Sequence, residues 1–574
     1  MKNILAVLAL LLSISISAQT QWYNPMESEF NVVQNQAWTS EIGKTYQRLP
    51  HRAKNIVRKS VWGLSQNSAG LAIHFYTNAK KIQVRYGVTG PHAMNHMPAT
   101  GKSGVDLYAV NSDGKWLIAS DRYKFGDTIT YTYRNLSPDR YHQLGHEYRL
   151  FLPLYNSVKW LEIGIPDSAN LNFIPVLKEK PIVVYGTSIA QGGCASRPGM
   201  GWSNILSRKL DYPVVNIAFS GNGPLEKELV DLMDEVDASL YIFDCLPNMG
   251  RLSDAEITNR TLYGVQKLRE KHSTPILIVD HAGYRNDEIN PLEKKAVERM
   301  NKASRQAFET LVQSGVKNIY HLHQDSIHMP VDGCVDNTHP NDLGMQFYAD
   351  AYEKIVRDIL SMPTGNTITT QPVSQRREPG VYEWKGRHAN ILQSIAQKHP
   401  KKVIIGNSIT HYWGEEPGRE YGSKTWKKWM QPAEYLNLGY GYDRIENVLW
   451  RVYHGELDGY EADEIVLMIG TNNLGINTDK EIVDGLEFLL NQIKIRQPKA
   501  NIKVVGLLPR RNKEEHIKAI NRQVAEMASR NHYSYIDVGY KLLNKNGVIN
   551  ESFFRDGLHP NEKGYTKIVK EIIQ

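Results

Sequence analysis

Cysteine is scarce: three in 574 residues, at Cys194, Cys245 and Cys334. An odd, sparse set excludes a disulfide framework, and the spacing lacks the paired ligands of a zinc module. No long apolar run follows the first twelve residues, so the body of the chain offers no membrane-spanning helix. No block of like charge occurs either. The formal charge of +7 is spread along the chain, which excludes the basic stripe of a nucleic-acid binder. What is present is an ordinary globular composition, in a chain too long for one core and sized for roughly three or four domains.

The amino terminus reads as a targeting segment. Lys2 precedes the apolar run Ile4 to Leu12, and small residues lead to a cleavage point after Ala18. A signal peptide over residues 1–18 makes the expected mature protein an exported one, in the periplasm or outside the cell. No cysteine adjoins the cut to carry a lipid. Export permits disulfides. Cys194 lies six residues after Ser188 and Cys334 two before Asp336. Two readings stay open: a Cys194–Cys334 bond, or three free thiols.

The informative feature is a repeat. Gly186-Thr187-Ser188-Ile189 ends one apolar run, and Asp336-Asn337-Thr338-His339-Pro340-Asn341 follows far downstream. Gly406-Asn407-Ser408-Ile409 and Asp556-Gly557-Leu558-His559-Pro560-Asn561 repeat the pattern. Serine to aspartate spans 148 residues in both copies, and serine to histidine 151. Serine, histidine and aspartate are the nucleophile, base and orienter of an acyl-transfer triad. The pattern predicts two catalytic sets, Ser188/Asp336/His339 and Ser408/Asp556/His559. An Asp-x-x-His spacing lets one loop carry both partners, and Pro-Asn suits the start of a helix. The second glycine of a G-x-S-x-G elbow is missing from both serine turns, which argues against an α/β-hydrolase.

Around each triad, short apolar strands alternate with helical periodicity. PIVVYG (181–186), SLYIFDC (239–245), TPILIVD (274–280) and NIYHLH (318–323) match KVIIG (402–406), EIVLMIG (464–470), IKVVGLL (502–508) and YSYIDV (533–538). Such alternation predicts two α/β/α domains with parallel sheets, whose ligands gather at the carboxyl ends of strands. Residues 25–177 differ. Short strands at 71–75, 82–86, 105–110, 128–133, 148–152 and 158–163 predict an N-terminal β-sandwich. The expected order is β-sandwich 25–177, hydrolase domain 178–360, a Pro/Thr/Ser/Gln-rich linker 361–380, and a second hydrolase domain 381–574.

These ordered motifs resemble the SGNH, or GDSL-like, esterases, over residues 178–360 and 381–574. The resemblance implies a flavodoxin-like fold and an oxyanion hole built by a glycine and an asparagine. Gly221 in NIAFSGNG (216–223) and Asn248 in DCLPNM (244–249) match in the first copy, and Asn472 in GTNN (470–473) in the second. The family aspartate before the serine is Thr187 or Asn407 here. The second copy resembles platelet-activating-factor acetylhydrolase domains but departs from them once: NLGYGYD (437–443) keeps Gly441 and places Tyr442 where the oxyanion glycine belongs. The 25–177 region, with GVDLY (104–108), is similar to the amino-terminal domain of exported bacterial esterases, and jelly-roll-plus-SGNH arrangements occur among carbohydrate acetylesterases.

Other residues invite roles near the sites. Arg197, on the loop after Ser188, and Trp413, after Ser408, are candidate sugar contacts. His92 and His96 can reach over the first site from the β domain. Trp426 follows the second serine, and His411 has no assigned role. The resulting expectation is an exported serine esterase that removes O-acyl groups, chiefly acetyl, from glycans, with no metal or organic cofactor and no nucleic-acid partner. A lipase, lysophospholipase or thioesterase, an acyltransferase, and a chain with one site decayed to a glycan-binding module are the alternatives.

Overall fold

The computed structural model describes residues 19–139, 142–176, 179–378, 380, 382–414 and 420–574. Residues 1–18, expected to form a signal peptide, lie outside the described residues. The antiparallel N-terminal region contains β1 (Thr20–Tyr23), β2 (Val33–Gln34), β3 (Ala72–Thr77), β4 (Ile82–Val88), β5 (Asp106–Val110), β6 (Trp116–Ala119), β7 (Arg122–Lys124), β8 (Ile129–Tyr133), β9 (His146–Phe151), β10 (Val158–Pro166) and β11 (Leu171–Phe173). They form two antiparallel sheets, ordered β1-β10-β4-β8-β7 and β11-β3-β9-β5-β6, with β2 paired to β3. Alternate residues such as Ile73, Phe75, Val84, Tyr86, Leu107 and Leu150 close one shared core. That alternation is the period-2 pattern of strands buried on one face.

The first parallel sheet holds β12 (Ile182–Gly186), β13 (Val214–Ala218), β14 (Leu240–Asp244), β15 (Ile276–Val279) and β16 (Ile319–Leu322), ordered β13-β12-β14-β15-β16. The second holds β17 (Lys402–Gly406), β18 (Tyr435–Gly439), β19 (Glu464–Met468), β20 (Asn501–Val505) and β21 (Ser534–Ile536), in the same relative order. Helices cover both faces, so successive strand residues enter different cores. Val183 belongs to one and Val184 to the other; Ile404 and Ile405 divide likewise. Each fully buried aliphatic side chain contributes about 1.5–3 kcal/mol. In this strand order the first strand is central, and its carboxyl end opens at the topological switch point. Both serines stand there.

The segment expected as a linker packs, in part, against its neighbours. Ser374, Gln375, Arg376, Arg377 and Glu378 are all buried. Arg376 Nε donates to Glu147 Oε2 of β9 at 2.7 Å, and Arg377 donates to Asp113 Oδ1 at 2.7 Å. The arginines thus satisfy acids of the antiparallel region. Among the described residues, no helix is long and apolar enough to cross a membrane. All three cysteines are free, so of the two thiol readings the unbonded one holds in this structure.

Candidate active site

Each serine is the first residue of a four-residue helix, Ser188–Gln191 or Ser408–His411, directly after the central strand. Asn407 caps its helix, accepting from Ile409 N at 2.9 Å, while Thr187 makes no side-chain cap. His339 and His559 sit just before long helices, capped by Asn341 and Asn561 as Pro-Asn suggested. Across each cleft a continuous chain forms. His339 Nε2 lies 3.0 Å from Ser188 Oγ, and its Nδ1 2.8 Å from Asp336 Oδ2. In the second copy the distances are 2.8 Å (His559 Nε2 to Ser408 Oγ) and 2.7 Å (His559 Nδ1 to Asp556 Oδ2). Both serines are 6% exposed.

The Asp-x-x-His spacing has a local cause. Asp336 Oδ1 accepts the backbone N–H groups of Thr338 and His339, at 2.8 and 2.7 Å, folding the turn that aims the ring. Asp556 does the same with Leu558 and His559. Partial burial works to raise both carboxyls, but these backbone donors and the histidine rings outweigh it and hold each below the ordinary carboxylate range. An ionised aspartate fixes the Nδ1–H tautomer, so Nε2 carries the lone pair that a general base needs.

The residues expected at the oxyanion holes occupy matching positions. Ala218 and Gly439 stand in register with Gly186 and Gly406, and three residues on come Gly221 and Tyr442. Both have φ of 65°, the left-handed region that favours glycine. Tyr442 therefore keeps a glycine-like backbone despite its side chain, at a cost of about 1–2 kcal/mol. Asn248 follows β14, and its Oδ1 accepts Gly223 N at 2.9 Å. Asn472 follows β19, and its Nδ2 donates to Asp443 O at 2.9 Å. A side chain on Gly223 would meet Gly186 O at 2.0 Å, so the turn must pass bare against the serine strand.

Of the two candidate sugar contacts, one is placed elsewhere and the other is tied to the antiparallel region. Trp413 is fully buried and stacks on Tyr565 at 4.7 Å, so it packs the core and cannot receive a sugar ring. Trp426 is buried beside it. Arg197 donates to Asp106 Oδ2 at 2.8 Å and Tyr108 Oη at 2.7 Å. Gly199 N also donates to Asp106, at 2.7 Å. The GVDLY motif thus docks the antiparallel region onto the loop after Ser188. Tyr155 reaches further, donating to Ser188 O at 3.0 Å. His96 does stand over the first site, its ring 5.4 Å from that of His339, whereas His92 packs on Phe125.

Sequence reasoning left out the residues that hold these turns. Asn216 and Asn437, equivalent in β13 and β18, are buried. Their Nδ2 atoms donate to Ala190 O (2.7 Å) and Thr410 O (2.9 Å) of the serine helices. Their Oδ1 atoms accept Ala218 N and Gly439 N. An asparagine at one position of both copies was the available signal. His411, pushed down to about 2 by burial and then by Arg387 and Arg451, is neutral and accepts Gly441 N at Nδ1, 3.1 Å away. Arg377 donates to Tyr442 O (2.9 Å) and Asn447 Oδ1 (2.7 Å), and Gln375 to Gly441 O (3.1 Å). The buried strap therefore braces the Gly441–Tyr442 turn.

Comparison with known proteins agrees with this geometry. Residues 179–357 and 404–567 each match the GDSL-like Lipase/Acylhydrolase family, and residues 20–171 match the N-terminus of Esterase_SGNH_hydro-type. A structure described as a GDSL-like lipase from Bacteroides ovatus is 34% identical, with a TM-score of 0.55, covering 60% of this chain and 98% of that one. Human platelet-activating factor acetylhydrolase IB subunit alpha1 is 28% identical over 210 residues, 35% of this chain and 87% of that protein. A family two carbohydrate esterase from Clostridium thermocellum is a remote neighbour, at 13% identity and a TM-score of 0.34, covering 51% and 92%. With two parallel-sheet domains and a Ser–His–Asp chain in each, the protein belongs to the GDSL-like Lipase/Acylhydrolase family and is a carboxylic ester hydrolase.

Proposed function

We propose that this protein is an exported, two-site serine esterase that removes O-acetyl groups from glycans, and the observation that carries it is the pair of complete triads. Ser188 Oγ or Ser408 Oγ attacks the ester carbonyl as His339 or His559 Nε2 takes its proton. The oxyanion meets backbone N–H groups at the Gly221 or Tyr442 turn and the Asn248 or Asn472 amide. The histidine returns the proton to the departing sugar hydroxyl, then activates water to release the acyl group. Asp336 and Asp556 orient the rings.

Acetyl as the acyl group is supported by relatives named as acetylhydrolases at 28–30% identity. A sugar as the alcohol is supported by a hollow of about 260 Å³ between the antiparallel region and the loop after Ser188. Tyr123, Tyr131, Asp106, Asp121 and Arg197 line it, an aromatic-plus-polar wall suited to a sugar ring. The way the strands alternate between the two antiparallel sheets supports the jelly-roll reading. The small-residue stretch to Ala18 supports export. Unlike surroundings support different esters for the two sites: Tyr412 and Tyr421 each stand 5.8 Å from the His559 ring, whereas His96 flanks His339. Identical ester preference in both sites would overturn that division. A phospholipid acetyl ester is the second reading, carried by the named relatives.

Fluorophosphonate labelling read by intact mass tests the core of the proposal. The full chain is expected to gain two adducts, Ser188→Ala and Ser408→Ala one each, and the double variant none. No adduct on the full chain would overturn it. A chain-length series of aryl esters then separates an acetyl site, fastest on the shortest acyl group, from a lipase.

A further inference from the structure

Beside the first triad, three metal-binding side chains converge. The Cys194 thiol, the His339 ring and the His96 ring hold their ligand atoms within 4.8 Å of one another. Each comes from a different segment: the loop after Ser188, the loop after β16, and the antiparallel region. Cys194 is 3% exposed, and its backbone N–H donates to Pro340 O at 2.9 Å, which seats it against the histidine loop. His96 is exposed on a surface loop and able to turn.

The chemistry of the set suits a borderline-soft divalent cation. Zinc takes nitrogen at about 2.0 Å and thiolate at about 2.3 Å, which sets tetrahedral donors about 3.5 Å apart. Donors already within 4.8 Å reach that spacing by a side-chain adjustment of about 1 Å. The tautomer is also right. His339 Nδ1 faces Asp336 Oδ2 at 2.8 Å, so its Nε2 offers a lone pair, the carboxylate–histidine arrangement that supports metal ligands. Two other clusters fall short. Asp280, near His321 and His323, is already paired with Arg305, whose Nε lies 3.0 Å away. His142, near Glu378 and Glu383, accepts Leu144 N at Nδ1, which leaves its ring proton on Nε2.

We propose that His96, Cys194 and His339 form a binding site for a zinc-like divalent cation that silences the first triad and leaves the second running. The inhibitory consequence rests on the esterase reading; the binding itself does not. The cation takes the Nε2 lone pair that faces Ser188 Oγ, so the base is lost. It also displaces the Cys194 proton to solvent. The second copy lacks the parts. Gly414 stands at the offset of Cys194, and among the described residues no comparable ligand group lies at His559.

The test uses the full chain, with Co2+ as a spectroscopic probe and Zn2+ as inhibitor. Co2+ is expected to raise a thiolate-to-metal charge-transfer band that Cys194→Ser abolishes, whether or not any ester is cleaved. Zn2+ is expected to inhibit Ser408→Ala, which reports the first site alone, reversibly with EDTA, and to leave Ser188→Ala unaffected. Adding Cys194→Ser to Ser408→Ala should retain basal activity and raise the half-inhibiting Zn2+ concentration about tenfold or more, and His96→Gln should raise that concentration likewise. Absence of the band, equal inhibition of both single-site chains, or inhibition unchanged by Cys194→Ser would overturn the proposal. A band with no ester cleaved by any variant would keep the site and remove the esterase reading.

Discussion

At the scale of single residues, the two nucleophiles differ less than their neighbours do. Losing the base is expected to cost at least about 10³-fold in the affected site. Aryl-acetate kinetics on His559→Ala in the Ser188→Ala background should show that loss, and a normal rate would remove His559 from the mechanism. Tyr442 is the residue where side chain and backbone disagree. Tyr442→Gly should relieve the left-handed strain and raise the unfolding free energy by about 1 kcal/mol while the second site keeps working. Tyr442→Val, β-branched in the same region, should lower stability and second-site activity together; denaturant melts and single-site kinetics read both. The triads were legible in the sequence because serine turn and Asp-x-x-His loop are short, local and doubled. Trp413 was not. A tryptophan five residues from a nucleophile looks like a sugar platform until Tyr565 is seen stacked on it.

At the scale of elements, the strap from Ser374 to Glu378 connects more than it spans. Arg377→Ala should lower second-site kcat about tenfold by releasing Tyr442 O, with first-site kcat unchanged. Arg377→Lys should not restore it, because a lysine cannot bridge Tyr442 O, Asn447 and Asp113 at once. Equal activity in both sites would show that the strap carries no positioning role. Helix Ile445–Tyr453 is tied in by a second buried network. Burial works to raise Glu456, but Arg451, His388 and Tyr440 overcome it and hold the carboxyl down to about 2. A depressed carboxyl stabilises the fold above its unfolded pKa of about 4.3, and that stability is lost as pH falls through the folded value. Glu456→Gln should therefore cost about 3 kcal/mol at neutral pH. The gap to the parent should narrow from pH ~4 toward about 2, as pH-dependent melts would show. Most parallel strands were readable as apolar runs entering a turn. The strands β13 and β18 were not named, because a buried asparagine interrupts each run. The strap's packing was not legible because its arginines find partners distant in sequence, beyond the reach of local composition.

At the scale of the molecule, one chain carries two copies of the same chemistry in different settings. The antiparallel region docks on the first serine loop through Asp106 and Arg197 and contributes Tyr155 and His96 to its surroundings. It reaches the second domain through Asp113, which pairs with Arg377 and with Arg444 at 3.2 Å. The domain order and the parallel-sheet class could be read from repeated motifs. The docking could not, since Asp106 and Arg197 are ninety-one residues apart. The proposed function has both triads hydrolyse acetyl esters on sugars. Its most direct test is acetate release from acetylated xylan, pectin and sialoglycans by the parent chain, Ser188→Ala, Ser408→Ala and the double variant. Release by the parent, a different partial loss in each single variant and none in the double are the expected results. No acetate from any of these substrates with the parent chain would contradict it.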